Sequence, residues 1–248
     1  MKSIEFIGAP GSGKTYFKEQ LNLYYKNKNI KTYNYNELFL HKYNLIHKLN
    51  IMDKLKFLIK KILLNTDNFF LKYLNYKLDQ IFDFKKEFTK INNNNYTLNF
   101  FENYFLKFKF ENKSIKLQNK LKKWLISELS AINISHKIRS KKEILINSEG
   151  INQRIIRLIL NIDKDKIKSF LKKIKYQKFE SDIVIFINTK PSTCIKRLKK
   201  RKGNNYNSLD INNFYLKSKY IFENTKKKKF TINDKMNIDY IFKKIYEN

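Results

Sequence analysis

The chain contains few of the residues that usually crosslink or interrupt a fold. Its 248 residues include five glycines, two prolines, one tryptophan and a single cysteine, Cys194. One cysteine excludes an intramolecular disulfide and a cysteine-based zinc site. The three histidines are scattered without the spacing of metal ligands, so we expect no zinc centre. No run of about 18 apolar residues occurs, and Glu5 interrupts the short apolar stretch at the amino terminus. We therefore expect neither a spanning helix nor a signal peptide, and a cytoplasmic protein.

Arginine is also scarce, which changes how the charge is interpreted. The formal net charge is +31, yet only five of the 53 basic residues are arginines. A strongly basic chain usually indicates a nucleic-acid or membrane partner. Here lysine is abundant together with asparagine, isoleucine, phenylalanine and tyrosine, as AT-rich coding would produce. Nucleic-acid binders cluster arginine for bidentate phosphate contacts. We therefore interpret the charge as a solvated lysine surface and do not expect a nucleic-acid partner.

Three of the five glycines fall in one octapeptide. Its sequence is Gly8-Ala9-Pro10-Gly11-Ser12-Gly13-Lys14-Thr15. The pattern G-x-x-x-x-G-K-[ST] is the P-loop motif, which requires a strand before it and a helix after it. Residues 3–7 are apolar enough for a short buried strand, and residues 16–27 carry apolar side chains at helical spacing. The context therefore favours a phosphate-binding loop over a simple glycine turn.

Each residue type of the motif has a physical reason. Glycines let consecutive N–H groups turn inward around an anion, and the helix that follows adds the positive end of its dipole. Lys14 is expected to reach the β- and γ-phosphates, and the Thr15 hydroxyl to bind Mg²⁺. The predicted ATP-binding residues of the loop are Gly8, Pro10, Gly11, Ser12, Gly13, Lys14 and Thr15.

The rest of the chain alternates between strand and helix patterns, apart from one long helical stretch. Further strands are predicted at 30–35, 143–147, 182–188 and 229–233, with helices after each and a closing helix at 237–246. Between Glu37 and Arg139 there is no glycine or proline, and apolar residues recur every three or four positions. We predict an α/β fold with a mostly parallel five-stranded sheet. Its nucleotide-binding core is 1–36 and 141–248, and residues 37–140 form a large all-helical insert.

Glu149 follows the strand at 143–147, at the edge where α/β sheets bind ligands. There its carboxylate could hold Mg²⁺ through water or accept the proton of an attacking hydroxyl. The alternative is a helix N-terminal residue favoured by the helix dipole. The adjacent Gly150 favours function, because glycine is so rare in this chain.

Four arginines follow the third and fourth strands. Arg197 and Arg201 share a helix face and are candidates to close over the nucleotide phosphates, with Gly203 allowing the segment to move as a lid. A cationic helix end that offsets its own dipole is the alternative. Arg154 is a candidate for binding an anionic group of the substrate. Arg157 fits a solvent-facing salt bridge equally well.

The glycine loop, the strand ending near Glu149, the strand at 182–188 and the arginine segment occur in the order found in thymidylate kinase-like P-loop nucleoside and nucleotide kinases. Residues 1–35 and 141–248 resemble this family. The resemblance implies a P-loop NTPase fold, ATP and Mg²⁺ binding, γ-phosphoryl transfer to a small-molecule acceptor, and an adenine site near residues 231–234. Lys14, Glu149, Arg197 and Arg201 would then be the catalytic residues. The acceptor stays open, because Ser148-Glu149-Gly150 stands where thymidylate kinases have an Asp-Arg pair.

Two other interpretations remain open. The chain could be a nucleotide-dependent switch or scaffold whose helical insert binds a partner, since no aspartate ends the third strand. The lysine-flanked apolar stripe through Leu55, Leu58, Ile59 and Ile62 could contact a membrane surface. A helix that packs this stripe into the core explains the same pattern and is preferred. Nothing in the sequence specifies the oligomeric state.

Overall fold

Five strands that alternate with helices along the chain form a single sheet. The computed structural model describes residues 1–35, 37–38, 52, 55, 59, 142–160, 162–174, 180–201, 208–233 and 238–247. By its internal contacts the chain divides into two units, Met1–Thr32 with Ser140–Asn248, and Tyr33–Arg139. Most of the second unit lies outside the described residues. The all-helical insert expected at 37–140 therefore stays a prediction.

The described part of the chain has five strands and six helices. In chain order they are β1 (Lys2–Ile7), α1 (Lys14–Asn27), β2 (Lys31–Tyr33), β3 (Glu143–Asn147), α2 (Ile151–Ile159), α3 (Lys164–Ile174), β4 (Ile183–Ile187), α4 (Pro191–Lys199), α5 (Ser208–Asn224), β5 (Lys228–Ile232) and α6 (Ile238–Glu247).

The strand order in the sheet is β2-β3-β1-β4-β5. β1 pairs in parallel with β3 on one side and with β4 on the other, and β4 pairs in parallel with β5. The connection leaving β1 runs toward β2, whereas the connection leaving β4 runs toward β5. Adjacent strands whose connections diverge leave a crevice at their carboxyl ends. The predicted α/β fold, a parallel five-stranded sheet flanked by helices, is confirmed.

Both faces of the sheet are covered, which explains why the strands β1, β3 and β4 are largely buried. All five residues of β4 are buried, as its uninterrupted apolar sequence predicts. On one face, α1 and α6 pack over alternate residues of the strands through Leu21 and Phe242. On the other face, α5 packs against β4 through Phe222, whose ring stacks on Phe186 with centroids 5.4 Å apart. The result is a three-layer arrangement with the sheet in the middle.

Capping hydrogen bonds lie on both sides of β2. After α1, Asn29 adopts a left-handed conformation, and Ile30 N–H donates to the Tyr25 carbonyl across the helix end. The strand predicted at 30–35 is wrong in its last two residues, because β2 ends at Tyr33. Asn34 and Glu37 instead exchange side chain-to-backbone hydrogen bonds of 2.8 and 2.9 Å, a capping box that starts a helical turn.

The described apolar residues of the second unit fall into two groups. Tyr33, Tyr35 and Leu38 at its start are buried, whereas Met52, Leu55 and Ile59 are helical and exposed. Met52, Leu55 and Ile59 are 62%, 50% and 39% exposed. For Leu55 and Ile59 the preferred prediction of core packing is therefore wrong, while the rest of that stripe lies outside the described residues. An apolar stripe at helical spacing defines a face but does not specify what covers it. Within the described ranges, no helix has both the length and the hydropathy needed to cross a bilayer.

The contact between α1 and α6 generates a stability prediction. Phe242 is 1% exposed and meets the Tyr24 ring edge-on at 5.8 Å. Phe242→Ala should lower the free energy of unfolding by about 3–5 kcal/mol, because a large apolar side chain is replaced by a cavity. Tyr240→Ala on the same helix, where the side chain is 55% exposed, should cost less than about 1 kcal/mol. Urea unfolding of both variants measures the difference, and equal midpoints would contradict the packing described.

Candidate nucleotide-binding site

The candidate site is an open cleft at the carboxyl edge of the sheet. The loop after β1 and the segment after β3 meet there, because β1 and β3 are neighbours. The cleft has a volume of about 200 Å³. Its lining residues are Pro10, Gly11, Gly13, Lys14, Thr15, Tyr16, Ser148, Glu149, Gln153, Arg157, Leu198 and Arg201. Residues predicted from two separate sequence motifs therefore face one cavity.

The loop between β1 and α1 requires glycine for steric reasons. Gly8, Gly11 and Gly13 have φ angles of 151°, 80° and 102°. Side-chain-bearing residues rarely adopt such angles. At Gly11 an added Cβ would lie 2.7 Å from the Cys194 carbonyl oxygen and 2.9 Å from Leu198 Cγ, so α4 packs directly on the loop backbone. Gly13 then precedes α1, whose first residues are Lys14 and Thr15. Strand, glycine loop and helix together have the arrangement that the P-loop motif requires.

Lys14 lies inside this loop. Its side chain is buried, and Nζ donates to the Gly8 and Ala9 carbonyls at 2.9 and 3.1 Å. Burial lowers the pKa of Lys14 from 10.5 to about 8, an effect that the nearby Glu149 carboxylate partly offsets. The ammonium is thus held by two neutral carbonyls in a desolvated position. A phosphate group bound in the cleft would be a stronger partner for it.

The loop backbone is also held from the side of β4 and α4. The Ser12 carbonyl accepts hydrogen bonds from Thr189 Oγ1 at 3.0 Å and from Arg197 Nη1 at 3.2 Å. Arg197 thus contacts the loop backbone, and its expected place over the nucleotide phosphates stays a prediction. Arg201 lines the cleft and is exposed. Gly203, the predicted lid hinge, lies outside the described residues.

Two further residues position the loop, and the sequence analysis missed both. The Gln153 side chain makes two hydrogen bonds with Gly8. It accepts from the Gly8 N–H at 3.2 Å and donates to the Gly8 carbonyl at 3.0 Å. Glu5, fully buried on β1, accepts hydrogen bonds from the backbone N–H groups of Asn152 and Gln153 at the start of α2. The available signal was Glu5 itself, because a carboxylate inside an apolar strand requires buried partners.

Glu149 is engaged by two arginines of α2. Arg157 Nη2 donates to both carboxylate oxygens at 2.9 Å, and Arg154 Nη1 lies 3.6 Å from Oε2. The Glu149 and Arg157 side chains are 37% and 34% exposed, whereas Arg154 is 5% exposed. Arg157 lines the cleft beside Glu149. The sequence left both a surface role and a functional role open for Arg157. The structure brings Arg157 into direct contact with the Glu149 carboxylate.

The oxygen donors of the cleft suit Mg²⁺ only in combination with a nucleotide. Within the described residues, no three His, Cys, Asp or Glu side chains are grouped as metal ligands. Mg²⁺ is usually bound by one or two protein oxygens, substrate phosphates and water, so a protein cage is not needed. Thr15 and Glu149 both line the cleft that contains Lys14. These residues fit the predicted ion.

A polar group lies at the carboxyl ends of β4 and β5, near the predicted adenine site. Asn188 accepts a hydrogen bond from the Tyr215 hydroxyl at 2.7 Å and donates one to Asn233 at 2.8 Å. Thr231 lies on β5 and is half-buried. Asp234 lies outside the described residues, so its predicted place beside the adenine stays a prediction.

Comparison with known proteins gives similarity in structure alone. No family model matches the chain, and no curated protein matches it in sequence. Three solved structures of a deoxyadenosine kinase from M. mycoides are similar to it, each over 99% of this chain. The one with product dCMP and a flexible dCDP has 11% identity, 97% of its own chain covered and a TM-score of 0.48. The dCTP complex has 12%, 100% and 0.48, and the dATP complex 13%, 97% and 0.44. Similarity at this level does not identify an acceptor.

If the cleft binds a nucleotide, the depressed pKa of Lys14 should make that binding pH-dependent. Bound phosphates should raise this pKa above its free value of about 8. Affinity for Mg-ATP should therefore be constant below pH 8 and fall as the pH rises above it, by at most about tenfold per pH unit, since one proton is involved. Calorimetry in buffers of different ionisation enthalpy should show proton uptake on binding near pH 8.

Lys14→Arg is the matched control for this experiment. Its guanidinium stays charged throughout the range, so its affinity for Mg-ATP, even if weaker, should not change between pH 7 and 9.5. If wild type and Lys14→Arg have the same pH profile, Lys14 is not the titrating group.

Proposed function

We propose that the protein is an ATP-dependent small-molecule kinase. One observation carries the proposal. The glycine loop with Lys14 and the segment with Glu149 line the same cleft, so a phosphate-binding site adjoins a carboxylate that can orient an acceptor. The activity would be transfer of the γ-phosphoryl group of ATP to an acceptor hydroxyl or phosphate.

The loop residues would hold the nucleotide. Backbone N–H groups of the loop and of the N-terminus of α1 would bind the β-phosphate, apart from the Ser12 N–H, which donates to the Ala9 carbonyl. Lys14 would move from the two carbonyls to the β- and γ-phosphates. Arg201, which lines the cleft, would neutralise charge on the transferred group. Arg197 would support the loop through its hydrogen bond to the Ser12 carbonyl. Mg²⁺, held by Thr15 and linked to Glu149 through water, would offset phosphate charge.

Glu149 would orient the acceptor. An ionised carboxylate accepts a hydrogen bond from a hydroxyl and can take its proton as the hydroxyl attacks. Because Arg157 donates to both of its oxygens, Glu149 must share or exchange this partner when the acceptor binds. Catalysis would come mainly from positioning and charge stabilisation.

The charge of the cleft favours an acceptor with an anionic group. Among the residues that the structure describes, the charged ones that line the cleft are Lys14, Arg157 and Arg201 against Glu149 alone. Arg154 adds a nearly buried guanidinium within salt-bridge distance of the same carboxylate. A phosphate or carboxylate on the acceptor could replace Glu149 as the partner of these arginines, and the freed Glu149 could then bind the hydroxyl.

Acceptor-stimulated ADP release tests the proposal. Wild type should bind Mg-ATP and release ADP faster with one class among nucleoside, nucleotide and sugar acceptors. Lys14→Ala should abolish binding. Glu149→Gln should bind ATP normally but lose acceptor-stimulated turnover by about a hundredfold or more, because the proton acceptor is removed. The matched control Glu19→Gln, on the exposed face of α1, should behave as wild type.

Two outcomes would oppose the kinase proposal. If wild type binds ATP tightly and no acceptor stimulates ADP release, the nucleotide-dependent switch becomes the better explanation. If wild type does not bind Mg-ATP, the P-loop assignment itself fails.

Charge selectivity is a separate prediction. Anionic acceptors should give a lower KM than neutral analogues of the same size. Arg157→Gln should raise the KM of an anionic acceptor by about tenfold or more, through loss of a charge-assisted hydrogen bond, and leave that of a neutral analogue nearly unchanged. Arg154→Gln should show the same selectivity. Equal effects on both acceptor types would mean that the arginines support the fold without binding the acceptor.

A further inference from the structure

We infer that Gln153 is a positioning residue of the nucleotide-binding loop, which it holds in its phosphate-binding conformation through the N–H and the carbonyl of Gly8. This inference rests on the proposed function to the extent that the loop binds ATP. It assigns a role to a residue outside the P-loop motif, on a helix 145 positions further along the chain.

The contact between Gln153 and Gly8 fixes two successive peptide groups, the one before Gly8 through its N–H and the one after Gly8 through its carbonyl. The Gln153 amide accepts from the Gly8 N–H through Oε1 and donates to the Gly8 carbonyl through Nε2, and the side chain is buried. Paired hydrogen bonds of this kind define direction as well as distance. A rotation of the Gly8 carbonyl would break the Nε2 hydrogen bond and leave a buried amide unsatisfied.

The Gly8 carbonyl is also a hydrogen-bond partner of Lys14. Gly8 O accepts a hydrogen bond from Gln153 Nε2 at 3.0 Å and one from Lys14 Nζ at 2.9 Å. Gln153 therefore fixes the carbonyl from which Lys14 must leave to reach a phosphate. If this carbonyl turned toward the bound phosphates, its negative end would repel them.

Gln153 is itself held rigidly by Glu5. The Glu5 carboxylate accepts from the Gln153 backbone N–H at 2.9 Å, and from the backbone N–H and side-chain amide of Asn152 at 3.2 Å each. Glu5 and Gly8 are three residues apart, at the end of β1. The first turn of α2 is thus attached twice to the same stretch of chain, and the Gln153 side chain is pre-organised to meet Gly8.

Substitution at position 153 tests the role of these hydrogen bonds. Gln153→Met keeps the length of the side chain and removes both hydrogen bonds, so its affinity for Mg-ATP should fall by about tenfold. Gln153→Glu gives a readout that a purely structural role would not produce. A protonated carboxyl group can accept from the Gly8 N–H and donate to its carbonyl, whereas an ionised one cannot donate and repels the phosphates.

The quantity to compare is the Kd of Gln153→Glu divided by the wild-type Kd at each pH. It should be about ten or more at pH 8 and fall as the pH is lowered toward 5. At this buried position the pKa of the new carboxyl group should lie above its usual value of about 4.3, so that the group gains its proton in this range. Gln20→Glu makes the same substitution on α1, beyond the loop, and its ratio should stay near one at every pH. Circular dichroism at each pH checks that all variants are folded.

The possible outcomes separate this inference from the proposed function. Wild-type ATP affinity in Gln153→Met, or a Gln153→Glu ratio that does not change with pH, would overturn the role of Gln153 and leave the kinase proposal intact. Loss of ATP binding by wild type itself would overturn both.

Discussion

The buried carboxylate of Glu5 is the interaction on which the site depends. A charged group at the centre of a sheet is costly unless it is fully hydrogen-bonded. Here the N-terminus of α2 provides two backbone N–H groups and the Asn152 amide, together with the favourable end of the helix dipole. Gly150, at the N-cap position, offers no side-chain cap of its own. Glu5 on β1 therefore caps the N-terminus of α2, and these hydrogen bonds fix the start of the helix against β1.

The geometry of the cleft follows from this attachment. Because Glu5 is level with Asn147 of the neighbouring strand, the end of β3 and the start of α2 are fixed against the end of β1. The segment with Glu149 must then cross beside the glycine loop. Two turns into α2, Arg157 reaches back to Glu149, while Gln153, on the first turn, reaches Gly8. One helix thereby contacts both the glycine loop and Glu149.

Sequence patterns predicted the parts of this arrangement that depend on local chemistry. The glycine loop, the apolar strand β4 and the helix that starts at Pro191 follow from short-range rules about backbone conformation and periodicity. The contacts of Gln153 and Arg197 with the loop could not be predicted in this way, because their partners are more than 100 residues away. The end of β2 was missed for a different reason. A capping box and a strand compete for the same residues, and β-propensity alone does not decide between them.

The scarcity of arginine is more informative than the net charge. A charge of +31 made of lysines mainly describes the solvated surface, where a flexible ammonium serves as well as any cation. Four of the five arginines instead lie on α2 or within the segment that begins with α4, and each of Arg154, Arg157 and Arg197 is within 3.6 Å of an oxygen of the site. A planar guanidinium can bind two oxygens at once in a fixed orientation, which lysine cannot do. In a chain whose composition favours lysine, three of the five arginines therefore lie where the position of an oxygen acceptor is fixed. Arg154 and Arg157 do so at the Glu149 carboxylate, and Arg197 does so at the Ser12 carbonyl.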